Sequence, residues 1–104
     1  MRCSSPEEAG APAVLQLGSF RPNPFSGRGE LGYGLPRAGR ARLLVYDLQG
    51  GRVATVVDRV ETAGWHSAAW GGRDARGRTV ASGTYFARLE VAGAMQMRKM
   101  VVAR

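Results

Sequence analysis

The sequence is poor in the residues that build disulfide frameworks and metal centres. Its 104 residues include one cysteine, Cys3, and one histidine, His66. A single cysteine cannot form an internal disulfide, and these two side chains cannot supply the three or four nitrogen and sulfur ligands of a usual zinc site. A disulfide scaffold and such a zinc site are therefore excluded within this chain, and we predict no metal and no bound cofactor.

Long apolar runs are also missing. No segment approaches the roughly 20 consecutive apolar residues that a membrane-spanning helix needs, and residues 1–13 lack the apolar stretch of a signal peptide. We therefore predict a chain that does not span a membrane and that, if exported, belongs to a longer precursor. Residues 1–13 are rich in Ser, Pro, Glu, Ala and Gly, and they are predicted to form a disordered tail or linker.

Lysine is nearly absent, although the chain is strongly basic. The formal net charge is +7, yet Lys99 is the only lysine and the other 14 basic residues are arginines. A charge of this size can attract nucleic acid or another polyanion. The arginines are scattered along the chain, however, and GC-rich codons favour Arg, Ala and Gly without selection for binding. Polyanion binding is therefore a less favoured alternative.

The residues that are present predict an all-β fold. From Val14 onward, short apolar runs alternate with Gly, Pro and Asp turns about every ten residues, which is typical of a sandwich or barrel. The predicted strands cover 13–17, 30–36, 40–48, 53–57, 64–70, 84–91 and 95–103. We predict an antiparallel β-sandwich of about seven strands over residues 14–104. The candidate core residues are Leu43, Val45, Trp70, Tyr85, Leu89 and Val101.

One glycine motif imitates a nucleotide-binding loop. Gly27-x-Gly29-x-x-Gly32 has the spacing of the dinucleotide fingerprint, which requires a strand before it and a helix after it to hold the pyrophosphate. Here a Pro-rich segment precedes the glycines and a β pattern follows them. We interpret the glycines instead as thinning one face of a strand where another part of the chain comes close.

Candidate catalytic groups are few. A Ser-His-Asp arrangement would have to use His66, which the alternation places on a strand among packed residues. No pattern brings two carboxylates together, and Asp47, Asp58 and Asp74 are predicted at strand ends or turns, where they bond backbone amides. A calcium site from such turns stays open as a minor alternative. Trp65 and Trp70 are five residues apart and therefore face opposite sides of a strand, which disfavours a sugar-stacking platform.

Seven segments follow one another in a recognisable order: Pro22-Asn23-Pro24-Phe25, Leu35-Pro36, Tyr46-Asp47, Gly51-Arg52-Val53, 63–77, Gly83-Thr84-Tyr85-Phe86 and 98–104. This order resembles the FlgD-type immunoglobulin-like domain, and more closely the C-terminal sorting domains of proteins exported by the type IX (Por) secretion system. The resemblance covers residues 15–104. One departure is Gly71, which stands where the family usually has Asp after the Trp and could loosen residues 71–78.

The resemblance implies a non-catalytic immunoglobulin-like module that addresses a larger cargo protein to the secretion machinery at the outer membrane. It also implies a secreted or cell-surface location reached through the periplasm, with no small-molecule substrate. Motif residues implied to matter for recognition are Pro22, Asn23, Pro24, Gly83, Tyr85, Lys99 and Arg104. The alternative is a purely structural FlgD-like module, as in flagellar hook-cap proteins or appended to an extracellular enzyme.

Overall fold

The computed structural model describes residues 11–24 and 26–103, and within these ranges the chain forms β-strands and turns only. The strands are β1 Gln16–Leu17, β2 Gly29–Leu35, β3 Gly39–Tyr46, β4 Arg52–Glu61, β5 Gly64–Trp70, β6 Gly83–Val91 and β7 Ala94–Val102. No helix able to cross a membrane occurs in the part of the chain that the structure describes. Of the residues predicted above to matter, Phe25, Arg104 and most of the tail lie outside the described ranges.

Two antiparallel sheets form the sandwich. One sheet has the strand order β1-β2-β5, and the other has the order β4-β3-β6-β7. The chain crosses between the sheets after β2, after β4 and after β5, whereas β3–β4 and β6–β7 are hairpins within the larger sheet. The predicted all-β, immunoglobulin-like antiparallel sandwich of about seven strands is therefore confirmed.

Side chains from alternate residues of the strands point inward and fill the space between the two sheets. In β2 the inward side chains are Leu31, Tyr33 and Leu35, and in β6 they are Tyr85, Ala87, Leu89 and Val91. Of the predicted core residues, Leu43, Val45, Trp70, Tyr85 and Leu89 are buried. The Trp70 ring lies edge-on to Phe20 and to Tyr85, with centroid distances of 6.4 and 6.0 Å. These three rings close one end of the sandwich.

The predicted place of Val101 in the core needs correction. Met100 and Val102 are the buried residues at the end of β7, and Val101 between them is only half-buried. The register sets Met100 opposite the inward-facing Tyr85, so Val101 faces the outer side of the sheet. Three consecutive apolar residues carry no alternation, and the sequence therefore did not indicate which of them face inward.

The first strand is shorter than predicted. Residues 13–17 were expected to pair, but only Gln16 and Leu17 do so, opposite Gly34 and Tyr33 of β2. In that register Val14 would face Pro36, which has no backbone N–H for a ladder hydrogen bond. Pro12, predicted as tail, packs against Gly34 beside the ring of Trp65.

Of the three aspartates predicted at strand ends or turns, Asp58 behaves differently from the other two. Asp47 Oδ1 accepts hydrogen bonds from the backbone N–H groups of Gln49 (3.0 Å) and Gly51 (2.8 Å), which holds the β3–β4 turn as predicted. Only Gly50 of this glycine pair has a positive φ, 88°. Asp58, in contrast, lies inside β4 and forms a two-pronged ion pair with Arg40 at 2.8 and 3.1 Å. The turn role predicted for Asp58 is therefore wrong.

Candidate recognition surface

One end of the sandwich gathers the motifs that are far apart in sequence. The Pro-Asn-Pro segment precedes β2 at this end, where the long turn 71–82 and the last residues of β7 also lie. Asn23 Oδ1 accepts a hydrogen bond of 3.0 Å from the backbone N–H of Val101. This bond joins positions 78 residues apart and satisfies an amide on the outer edge of β7. The structure thus brings the Pro-Asn-Pro segment against the last strand.

A second contact fastens the same strand to the smaller sheet. The Arg98 Nε group donates a hydrogen bond of 2.7 Å to the carbonyl oxygen of Leu17 at the end of β1. Sequence reasoning placed Arg98 in the matching segment 98–104 but did not name it as a recognition residue or predict this contact. Together, Asn23 and Arg98 hold the second half of β7 in place.

The other predicted recognition residues fall into two groups. Tyr85 is buried, and its hydroxyl donates a hydrogen bond of 2.7 Å to the carbonyl oxygen of Ala81, four residues upstream. This contact resembles the tyrosine corner of immunoglobulin-like sandwiches and makes Tyr85 a structural residue. Gly83, at the start of β6, has φ 153°, where only glycine is comfortable. Pro22, Pro24 and Lys99 are exposed and available to a partner.

The long turn 71–82 is held by hydrogen bonds of Asp74 and Trp70, and position 71 is a glycine. Asp74 Oδ1 accepts hydrogen bonds of 2.9 Å from the backbone N–H groups of both Arg76 and Arg78. These bonds, that from Arg78 first, lower the pKa of the Asp74 carboxyl. The indole N–H of Trp70 donates to the Arg73 carbonyl at 2.9 Å, which anchors the turn to the core. Asp74 therefore bonds the backbone amides of its own turn, as the sequence predicted.

A polar cluster lies at the opposite end of the sandwich and bridges the two sheets. The carboxylate of Glu61 accepts hydrogen bonds from the Tyr33 hydroxyl at 2.6 Å and from Arg59 Nε at 3.2 Å. His66 stacks on the Tyr33 ring with a centroid distance of 5.5 Å, and its Nδ1 lies 3.5 Å from Glu61 Oε1. The His66 Nε2 group donates to the Thr62 carbonyl at 2.8 Å.

This cluster orients side chains and does not form a catalytic triad. The imidazole contacts a carboxylate, a backbone carbonyl and an aromatic ring, while the neighbouring Ser67 points to the opposite face of β5. Within residues 11–24 and 26–103, no three His, Cys, Asp or Glu side chains are grouped to hold a metal ion. Sequence reasoning missed the cluster, because its members come from three strands.

Acid should weaken the fold through Glu61. The hydrogen bond from Tyr33, followed by the charges of His66 and Arg59, holds the pKa of Glu61 below its ordinary value of 4.5. A carboxyl group with a lowered folded-state pKa stabilises the fold above its ordinary pKa, and this contribution is lost as pH falls through the lowered value. We expect Glu61 to contribute about 1–2 kcal/mol at neutral pH.

Urea unfolding at pH 7, 4 and 3 tests this expectation, with Glu61→Gln as the matched variant. The amide still accepts from Tyr33 but does not titrate, so the loss of stability on acidification should be smaller in the variant. Asp58 and Asp74, whose pKa values are also lowered, titrate in both proteins and cancel in the difference. Equal losses in the two proteins would contradict the assignment to Glu61.

Removing the Asn23 side chain should loosen the end of β7. We expect Asn23→Ala to lower the free energy of unfolding by about 1 kcal/mol, the usual worth of one hydrogen bond. The Val101 amide should also lose its protection from hydrogen exchange. Asn23→Asp is the control, because it keeps an acceptor oxygen at the same place. Unchanged protection of Val101 in the Ala variant would show that the contact does not hold the strand.

The architecture is that of an immunoglobulin-like sandwich of the FlgD type. Dimeric latent PorU from Porphyromonas gingivalis superposes with a TM-score of 0.71 at 18% identity, and the match covers 86% of this chain and 9% of PorU. FlgD from Xanthomonas campestris, described for its part in hook capping, matches with a TM-score of 0.57 at 27% identity, over 85% of this chain and 67% of FlgD.

A third solved structure is PorZ, a surface component of the type IX secretion system of Porphyromonas gingivalis. It matches with a TM-score of 0.51 at 19% identity, over 97% of this chain and 12% of PorZ. No protein-family model and no curated protein matches the sequence. The resemblance to FlgD-type and type IX secretion domains is therefore confirmed for the fold, and this chain corresponds to a small part of PorU and PorZ.

Proposed function

We propose that this domain is a non-catalytic sorting module of a protein exported by a type IX secretion system. The observation that carries the proposal is the 3.0 Å hydrogen bond from the Val101 amide to Asn23, which presents the Pro-Asn-Pro segment and the last strand as one surface. Proteins with this fold include PorU and PorZ, and PorZ is a bacterial surface component of the type IX secretion system.

The surface consists of residues 22–24, Gly83 and the segment from Lys99 onward, with Arg104 outside the described residues. Its partner is the secretion machinery at the outer membrane, and the domain is covalently part of a larger cargo that reaches the surface or the medium through the periplasm. In this role the domain marks its cargo for export and catalyses no reaction. The engagement of its one histidine in the cluster that joins the two sheets supports this role.

A reporter fusion tests the proposal. The 104-residue chain is placed at the C-terminus of a periplasmically exported reporter, in a host with the type IX system and in a strain with that system deleted. The reporter should reach the surface or medium only in the first strain. Lys99→Glu should reduce the exported fraction severalfold, whereas Arg37→Glu, which changes another exposed cation outside the surface, should not.

A second candidate is a structural module of the FlgD kind. The match to FlgD from Xanthomonas campestris, at 27% identity over 67% of that protein, favours it. Retention of a folded reporter in the periplasm of both strains would overturn the sorting proposal and support this alternative. The nucleic-acid alternative predicts instead a DNA affinity that falls steeply with salt concentration.

A further inference from the structure

The outer edge of β7 is open from Met95 to Lys99. The β6–β7 hairpin turns through Ala92 and Gly93, with φ of 51° and 85°, and pairs Val91 with Ala94. A two-residue turn closes on a hydrogen-bonded pair, and such pairs then alternate along an antiparallel ladder. The amides of Met95, Met97 and Lys99 therefore point away from β6. In the part of the chain described here, no strand pairs with this edge.

The end of this edge is covered by another part of the chain, whereas the stretch from Met95 to Lys99 is not. Asn23 covers the Val101 amide, and the Arg98 side chain ties the strand to Leu17. From Met95 to Lys99 the outward amides and carbonyls have no such cover among the described residues. Sheet edges of this kind are templates for pairing with another chain, and proteins usually protect them with charges, prolines, bulges or covering segments. Lys99 places such a charge on this stretch. Its positive charge also favours a partner with negative charge.

Apolar side chains flank the open edge. Met95 and Met97 are 48% and 47% exposed on the outer face of the sheet. A groove of about 290 Å³ beside Met97 is lined by Tyr46, Leu48 and Phe86, among others. Methionine is flexible and polarisable, so this face can adapt to the side chains of an added strand. The backbone supplies hydrogen bonds, and the methionines supply apolar contact.

The charge at this edge favours an acidic occupant. Four cations, Arg42, Arg88, Arg98 and Lys99, lie on or near it, against two carboxylates, those of Glu90 and Asp47. Asp47 lines the groove beside Met97 and is bonded to backbone amides of its own turn. Glu90 is already paired, with Arg88 at 2.7 Å and with Arg42 at 3.6 Å. A second copy of this chain would bring the same surplus of positive charge and be repelled. A segment carrying carboxylates is electrostatically complementary.

We propose that the edge from Met95 to Lys99 accepts an extended acidic segment of a partner protein as an additional β-strand. This mode of recognition takes its affinity from main-chain hydrogen bonds and its specificity from alternate side chains. The inference goes beyond the proposed function and does not depend on it, because a structural module would present the same edge. The export assay can therefore give a negative result while the binding assay below gives a positive one, and the reverse also holds.

A synthetic peptide tests the proposal with the full 104-residue chain. The probe is a fluorescently labelled seven-residue peptide that alternates Glu and Val, followed by anisotropy. Its control is the same peptide with N-methyl groups on alternate amides, which removes the hydrogen bonds to an edge and keeps every charge. We expect saturable binding of the first peptide and at least about tenfold weaker binding of the N-methylated peptide.

Two variants at one position separate the backbone from the side chain. Met97→Pro removes an amide that faces away from β6, so the ladder within the hairpin is kept, and circular dichroism with urea unfolding checks the fold. It should weaken binding about tenfold. Met97→Ala keeps the amide and should weaken binding less than about threefold.

Three outcomes would overturn the proposal. The first is equal binding of the N-methylated peptide or of folded Met97→Pro, which would indicate attraction between charges without strand addition. The second is absence of peptide binding at millimolar concentration. The third is reversible dimerisation in sedimentation experiments that Met97→Pro abolishes, because the edge would then belong to a second copy of this chain.

Discussion

Replacement of Trp70 by Ala should lower the free energy of unfolding by about 3–5 kcal/mol, the range found for large aromatic side chains removed from cores. The indole is 6% exposed, lies between Phe20 and Tyr85, and donates its N–H to the Arg73 carbonyl at 2.9 Å. The substitution therefore leaves a cavity and also frees the long turn from the core. Urea unfolding measures the effect as a shift in midpoint at constant slope.

Trp65→Ala is the matched control in the same strand. Trp65 is 56% exposed and packs over Gly34 on the outer face of the smaller sheet. We expect its removal to cost at most about 1 kcal/mol, because little apolar area leaves the water there on folding. Similar losses for the two tryptophans would contradict the assignment of Trp70 to the core.

Adding one methyl group at Gly29 should lower the free energy of unfolding by about 2 kcal/mol. A Cβ atom at this position would overlap the ring of Phe20, which is buried and lies edge-on to Trp70. The ring cannot swing aside without disturbing the packed end of the sandwich. Gly29→Ala in the urea assay gives the measurement.

The control for this substitution is Gly71→Ala. A Cβ atom at Gly71 would meet its nearest neighbour, the Gly27 carbonyl oxygen, at 3.8 Å, an ordinary contact. We expect a change within about 0.5 kcal/mol, with a contribution from the stiffer unfolded chain. A destabilisation as large as that of Gly29→Ala would show that the Phe20 ring is not the cause.

Of the glycines that imitate a nucleotide loop, Gly29 therefore has a packing role, whereas an added Cβ at Gly27 would meet nothing within 4 Å. Gly29 begins β2 and leaves room for an aromatic ring, and Gly32 lies where an added Cβ would be 3.6 Å from the His66 carbonyl oxygen. The sequence interpretation expected the approach of another part of the chain at these positions. It did not identify the Phe20 ring, because the partner lies nine positions upstream in a segment without regular pairing.

Local alternation was sufficient to predict the sandwich and most of its strands. The signal is strong in segments such as 84–91, where inward and outward residues differ clearly in polarity. It failed where polarity does not alternate, as at Val101, and where pairing is limited by a neighbour, as at Pro36 opposite Val14. Strand β4 extends to Glu61, four residues beyond the predicted segment. The prediction ended too early because Asp58 and Arg59 are exposed charged residues, and such residues are typical of a turn.

The candidate surface was predicted only in part. The motif residues were found because they match a family pattern, but their contacts were not. The bond between Asn23 and Val101 and that between Arg98 and Leu17 join positions 78 and 81 residues apart. No local pattern encodes such distances. The buried role of Tyr85 likewise depends on the fold, because its hydroxyl needs the Ala81 carbonyl at the right place.

The bond between Asn23 and Val101 has a consequence for synthesis of the chain. The Pro-Asn-Pro segment emerges from the ribosome before its hydrogen-bonding partner, because Val101 follows Asn23 by 78 residues. Until β7 has formed, β6 is itself an exposed edge and Asn23 has no strand to cover. A partner that contacts both segments together can therefore bind only a chain whose translation has passed Val102 and whose sandwich is complete.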